Sequence, residues 1–363
     1  MSEPFLPEGP GPAPEGRPGG EASGRRAGRH FGFPRWGPGR RPVRNRLLAA
    51  GAVLVALLAA LALAAPWVAG ADPSEQLDPV AGRYLPPGSR RVPVVFADGR
   101  TLLAERAVRR GDRLVVERLG RIEAYPVASL AGGPEAVPAP PRTFPLGTDR
   151  FSRDVWARLV WGARVSLAVG VLAALLAATL GTLVGAAAAA GGRWLDGTLM
   201  RLVDAALAVP RLFLLVALVA LFRPGAAAIV LILGGTAWMS VSRLVRAEIL
   251  GVQGRDYVLA ARAAGQHPLR VLVRHLLPNA LTPLLVGVGL LVGNVILVES
   301  ALSFLGLGLP PPMPSWGDMI SSGADRLVDA WWVATFPGIA IVVTVVAFNL
   351  LADGLRDALD PRG

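Results

Sequence analysis

Glu299 is the residue best placed to do chemistry in this 363-residue chain, because it stands as a carboxylate inside a long apolar run. A charge at bilayer depth is costly and marks a gate, a cargo path or a paired partner. Ser303, further along the same run, is grouped with Glu299 as a pathway or gating residue. Little else could carry a reaction. Cysteine is absent, all 37 basic residues are arginine, and the histidines are His30, His267 and His275. Thiolate metal sites are therefore excluded, and no metal or cofactor is expected. A G-x-x-x-x-G-K-[ST] phosphate loop cannot exist without lysine, so ATP has to be bound by a separate protein. HExxH and GxSxG motifs are missing too, which leaves no nucleophile and base pair to support an enzyme.

What must position Glu299 is a series of apolar segments. Hydrophobic residues make up 53% of the chain, charged residues only 17%, and mean hydropathy is +0.48, which indicates an all-α polytopic membrane protein. Apolar runs at 47–69, 165–190, 207–222, 226–241, 281–304 and 331–351 predict six transmembrane helices. The third and fourth are short and joined by Arg223-Pro224-Gly225, a turn sequence, so they read as a tight hairpin. The first run is a retained helix: its 46-residue flank is too long, and its apolar stretch too extended, for a cleaved signal peptide.

Orientation follows from arginine. Short loops at 191–206 and 242–280, with the C-terminal segment, hold Arg193, Arg201, Arg356, Arg362 and six arginines from Arg243 to Arg274. The opposite short loops hold only Arg223 and Arg326. Both termini are therefore expected in the cytoplasm. The net charge of +11 flanks apolar segments and points to anionic lipid, with no nucleic acid as partner. Residues 1–46, rich in Pro and Gly and ending in an arginine cluster, read as a disordered basic cytoplasmic tail.

Residues 70–142 then form an extracytoplasmic loop. Within it, β-prone runs such as Val94-Val95-Phe96 and Leu114-Val115-Val116 are punctuated by Asp98-Gly99 and Gly111-Asp112. That pattern predicts a small antiparallel β module of three or four strands over about 92–130. So few residues bury little core, so the module is expected to lean on the membrane domain or on a partner.

The loop 243–280 carries the most information. Small residues concentrate over Asp256 to Ala264 on a predicted short helix, which Gly265 can end in the left-handed conformation. Pro268 suits the first turn of a second short helix, in which Leu269, Val271, Leu272 and Leu276 alternate with Arg270, Arg274 and His275 until Leu277-Pro278-Asn279 stops it. Two such helices make either a compact knob for another protein's groove or an interfacial segment lying on lipid.

The spacing Ala260-Ala261, Gly265, then Leu277-Pro278 resembles the EAA cytoplasmic loop of binding-protein-dependent ABC importer permeases. Leu259 stands where that motif has Glu, and His275 stands at its Ile position. Arg274 to Asn279 is similar to the dipeptide, oligopeptide and nickel permease version. So are Pro145-Leu146-Gly147-Thr148-Asp149, Arg153-Asp154-Val155, Gly162 to Leu167, Glu299 to Gly308 and Pro314-Ser315-Trp316-Gly317. Together these cover the first span and residues 143–363, a permease core with five of the spans, and leave the β module outside the shared pattern. The resemblance implies a type I ABC importer permease fold with a β-rich insertion, in the inner membrane. It implies as partners a homologous second permease, two ATPase subunits and an extracytoplasmic solute-binding protein, with peptides, nickel or another small solute as cargo. It also makes Ala260, Ala261, Arg262, Gly265, His275, Leu277 and Pro278 the residues that couple ATP hydrolysis to the spans.

The competing class is an ion-coupled carrier or an accessory scaffold. A carrier calls for paired intramembrane carboxylates and inverted repeats, of which Glu299 offers one carboxylate and no repeat. Gly181 with Gly185, and Gly289 with Gly293, predict close helix packing. Trp316, Trp331 and Trp332 are expected as interface anchors, and Arg201 as a partner of Asp204 on one helix face.

Overall fold

The computed structural model describes residues 46–135, 139–222 and 225–359. The tail at 1–45 and the Arg223-Pro224 turn lie outside the described residues. The chain starts as α1 (Arg46–Leu63) and, past a break set by Pro66, α2 (Ala65–Val68). After the β-rich stretch come α3 (Val155–Ala190), α4 (Gly192–Leu207), α5 (Arg211–Leu221) and α6 (Ala226–Val252). The remaining helices are α7 (Asp256–Ala263), α8 (Pro268–Val271), α9 (Leu277–Phe304), α10 (Trp316–Gly323) and α11 (Trp332–Leu359).

Among the described residues, five helices are long and apolar enough to cross a bilayer: α1, α3, α6, the continuous α8–α9 rod and α11. The sixth expected span is different in kind. Helix α5 has 11 residues, about 16 Å at the α-helical rise, and meets α4 at an 83° bend. Pro210 causes the break, since it cannot donate into the α4 ladder and biases Val209 away from helix. The 207–222 run is thus half of a broken element, and α6 is the longer arm that α5 packs against.

Helix contacts are set by small residues. An added methyl on Gly181 would strike Val241 and the Trp238 carbonyl, and one on Gly185 the Ser242 carbonyl, so α3 and α6 lie together along their lengths as the glycine spacing predicts. Gly51 of α1 sits on the backbone of Leu350 and Leu351 in α11, and Gly354 of α11 on that of Leu48 in α1, in the same manner. Gly289 and Gly293 meet Ala352 and Val345 of α11 at ordinary contact or slightly closer. The apolar core runs along these seams in clusters, one holding Leu167, Ile296, Trp316, Trp332 and Phe348 and another Val245, Ile249, Val271 and Leu284.

The insertion is larger than its β-prone core suggests. Strand β1 (Ser89–Val95) lies between β2 (Thr101–Ala104) and β6 (Arg142–Phe144), and β4 (Arg113–Arg118) lies between β3 (Arg106–Arg110) and β5 (Arg121–Pro126). All pairings are antiparallel, with Val94 opposite Leu102 and Val115 opposite Ala124. Val94, Phe96, Leu114 and Val116 close a small shared core. Asp78 locks it from outside. Its buried carboxylate accepts Arg118 Nη2 at 2.9 Å, Arg118 Nε at 3.0 Å, and the backbone N–H groups of Val80, Ala81 and Leu103, each at 3.0 Å. Burial alone would raise the Asp78 carboxyl, but Arg118 and these N–H donors outweigh it and hold it below its usual range. The module does lean on the helices: β6 runs into Thr148, whose hydroxyl joins Gly82 to Leu85 and whose carbonyl accepts the Trp332 indole at 3.1 Å.

Candidate functional site

The elbow between α6 and α9 is built around Gly265. Its φ of +75° lies in the left-handed region, where a side chain is strained, although the space beside it is open. The N–H of Gly265 reaches the Arg262 carbonyl at 3.0 Å and that of Gln266 the Ala261 carbonyl at 3.2 Å, the paired bonds of a Schellman cap. His267 then caps α8, its Nδ1 accepting the Leu269 N–H at 3.3 Å, and Pro268 fills the first turn. Gly265 sets the angle between the two arms.

The second arm does not stop at Leu277-Pro278-Asn279. Pro278 has no N–H to give, and the helix absorbs the defect with a π turn over Leu272–Leu276, in which the Leu277 N–H bonds the Leu272 carbonyl. The amide of Asn279 takes the His275 carbonyl at 2.7 Å. Helix therefore continues from Pro268 to Phe304, 37 residues that join the elbow directly to Glu299.

The predicted elbow residues divide by exposure. Val258, Ala261, Val271 and Leu276 are buried against Val245, Ile249 and Val252 of α6, so Ala261 is packed within this chain and is unavailable as a direct contact for another. Ala260, Arg262, Gly265 and Pro278 are exposed, and Leu277 and His275 half-buried. The His275 Nε2 lies 3.2 Å from the Gln266 side-chain oxygen, tying one arm to the other. Tyr257, Leu259, Leu269 and Val273 all stand in the open beside arginines 270 and 274. A concavity of about 640 Å³ opens among His267, Leu269, Val273 and the two arginines.

The other ends of α3 and α9 hold a buried polar cluster. Asp154 caps α3 by accepting the Trp156 N–H at 2.9 Å, and burial holds its carboxyl above the usual range. Asp149, 1% exposed, accepts Arg153 Nε at 2.7 Å and stands 3.6 Å from Arg158 Nε. Arg158, equally buried, donates to Asp318 of α10 at 2.7 Å. Ser315 caps α10, and the Trp316 indole reaches the Leu159 carbonyl at 2.9 Å. Glu299 is 1% exposed and accepts the Ser303 hydroxyl at 2.8 Å, while its other oxygen has no partner. Ser303 in turn packs on Gly308 and Gly317. Segments far apart in sequence thus converge on one α3–α9–α10 joint.

Several expectations change here. Trp316 and Trp332 are buried in this joint, and of the three tryptophans Trp331 alone is exposed. Asp204 pairs with Arg243 of α6 at 3.3 Å instead of Arg201. The Arg158–Asp318 pair joins positions 160 residues apart and has no local signal in the sequence. Arg211 went unnoticed although its signal was present, a charge beside Pro210 inside the 207–222 apolar run. Its Nη1 donates to Asn294 at 3.1 Å, and its Nε and Nη2 are buried without partners.

Residues 160–362 match the family described as the binding-protein-dependent transport system inner membrane component. Residues 39–87 match the N-terminal TM domain of oligopeptide transport permease C. A transport system permease protein of Brucella suis is 46% identical over 217 residues, covering 60% of this chain and 73% of the relative. The di/tripeptide transport system permease protein DppC of Pseudomonas aeruginosa is 42% identical over 219 residues, covering 60% and 72%. The dipeptide transport system permease protein DppC of Alkalihalophilus pseudofirmus is 40% identical over 217 residues, covering 60% and 71%. Two inward-facing structures of the MetNI methionine ABC transporter align with TM-scores of 0.45 and 0.46 at 20% and 22% identity, covering 55% and 56% of this chain and 96% of the transporter chain. With more than half of its length matched by one family model, and with the elbow and helix core in place, the chain belongs to the binding-protein-dependent transport inner membrane components and is a permease subunit of an ABC importer.

Proposed function

We propose that this permease imports peptides and works with a homologous second permease, two ATPase subunits and an extracytoplasmic solute-binding protein. The relatives named as peptide and dipeptide permeases support the cargo class. Both termini face the cytoplasm in this reading, as the arginine-rich short loops require. The elbow then lies on the side where ATP is hydrolysed, and the β module outside, within reach of the docked binding protein.

One observation carries the coupling: the elbow's second arm is the same rod as α9. An ATPase groove closes on the exposed face of Leu259, Ala260, Arg262, Leu269 and Val273, while Ala261 and Gly265 hold the arms at a fixed angle. Displacement of the knob travels along α9, which pivots on the α10 joint at Glu299 and Ser303 and so opens or closes the path. In the assembled importer in proteoliposomes, Gly265→Glu strains the left-handed cap and abolishes ATPase stimulation by loaded binding protein, while the subunit stays in the membrane. Unchanged stimulation refutes the coupling role. Purification without any ATPase subunit refutes the assembly.

A further inference from the structure

Arg211 occupies an unusual position. It is the first residue of α5, directly after the break at Pro210, so its positive charge sits at the positive end of the helix dipole. No side chain caps that helix end. The guanidinium gives one bond to Asn294 and leaves Nε and Nη2 out of solvent and unpaired. Among the described residues no carboxylate pairs with it, in contrast to Arg158, which is buried between two. It borders a cavity of about 320 Å³ with Asn294, Ser240, Leu244, Gly287 and Leu291. Asn294 lies near the middle of the 281–304 apolar run of α9, so the Arg211–Asn294 contact is at mid-membrane depth. The cavity opens beside Leu290, Asn294 and Leu297, which lie one helical turn apart on the uncovered face of α9.

A half-buried cation with two idle donors, an added dipole end and an amide beside it is a receptor for a planar anion. Lipid phosphate sits at headgroup depth, far from the middle of the 281–304 run. The acids within the spanning helices of this chain, Glu248, Glu299, Asp353 and Asp357, all lie toward helix ends, so this chain offers no carboxylate at that level. What can arrive there is cargo.

We infer that Arg211 and Asn294 form a station in the import path that holds a carboxylate of the transported solute, the C-terminal carboxylate in the case of a peptide. This rests on the peptide reading above and adds to it the end of the peptide that is recognised. The guanidinium fork donates to the two carboxylate oxygens through Nε and Nη2, and the Asn294 amide supplies a further donor.

The test uses the complete importer in proteoliposomes with its binding protein. Uptake is measured for a panel of di- to pentapeptides and for the same peptides as C-terminal amides, each variant expressed relative to the unsubstituted importer so that selection by the binding protein cancels. Arg211→Gln lowers free-acid uptake roughly tenfold or more and leaves amide uptake unchanged, and Arg211→Lys restores part of the free-acid rate. Retention of all subunits on purification reports correct assembly. Free-acid uptake at the full rate, an equal loss for acids and amides, or loss of the second permease from the Arg211→Gln complex each overturns the station while leaving peptide import standing. An unsubstituted importer that takes up no peptide in the panel removes the cargo reading and the station together.

Discussion

Charged groups at the two ends of the α3–α9 pair are handled in opposite ways. Where α3 begins and α9 ends, Asp149, Arg153, Arg158 and Asp318 are joined in one chain of ion pairs, and Asp318 brings α10 into it. Where α9 begins, Arg262, Arg270 and Arg274 point outward among exposed leucine and valine side chains, and the polar contacts inside the elbow are few. One end meets its own needs. The other is incomplete in the single chain, and its incompleteness is what a motor subunit can use. The same fold therefore contains a fixed joint and a docking face, connected by one uninterrupted rod.

The comparison breaks most readily at the fixed joint. Asp149→Ala removes the carboxylate shared by Arg153 and Arg158, taking from the buried Arg153 its ion pair and leaving Arg158 with Asp318 alone. Breaking a buried pair from one side costs about 3–5 kcal/mol. The expected result is a marked loss of thermal stability in detergent, read by tryptophan fluorescence, because Trp316 and Trp332 report on this joint. Wild-type stability for Asp149→Ala would mean that the cluster is not the structural end of the molecule.

Asp78 sharpens the same contrast away from the helices. Its carboxyl is held below the usual value, so the folded state binds the proton less readily than the unfolded one. Its contribution is fully present above the ordinary aspartate pKa of about 3.9 and is lost as pH falls through the lower folded value. Hydrogen exchange over residues 89–126 should stay slow from neutral pH down to about that pKa and accelerate below it. Asp78→Asn should lose protection at every pH, by an effect smaller than that of Asp149→Ala because Arg118 keeps partial access to water. A protection profile flat to lower pH in the unsubstituted chain would remove Asp78 as the lock.

How much of this could be read from residues alone follows the reach of the interactions. Gly265, His275 and Leu277-Pro278 announced the elbow because a turn and its caps are encoded within a few neighbouring positions. The run of helix through Pro278 did not show, since a π turn has no composition of its own and the rule that proline ends a helix won the reading. Glu299 stood out as a charge among apolar residues, yet Arg211 in the equivalent situation was absorbed into a span that the Pro210 bend divides. The Arg158–Asp318 contact joins positions 160 residues apart and leaves no local trace. Strands β1 and β4 were legible as β-prone runs beside the Asp98-Gly99 and Gly111-Asp112 turns, whereas β6, three residues long, exists only because β1 is there to pair with.

Leu269 provides the finest division between the two ends. It is 61% exposed and contacts open space where the buried residues of the joint contact protein. Replacing it with alanine removes apolar surface that folding never took from water, so stability should stay within about 0.5 kcal/mol of the unsubstituted chain. The same side chain should be covered when an ATPase subunit seats on the elbow, and losing its burial weakens that contact by about 1.5–3 kcal/mol. Leu269→Ala is therefore expected to leave the melting temperature in place while the ATPase subunits dissociate at tenfold or more lower dilution in detergent, a shift of roughly the size that this energy gives. Leu302, near the far end of the same rod and buried against α3, α5 and α6, supplies the inverse control: Leu302→Ala should cost about 2–5 kcal/mol of stability and leave ATPase affinity alone. If the two substitutions act alike, the rod has no docking end distinct from its fixed end, and the division of labour along α9 fails.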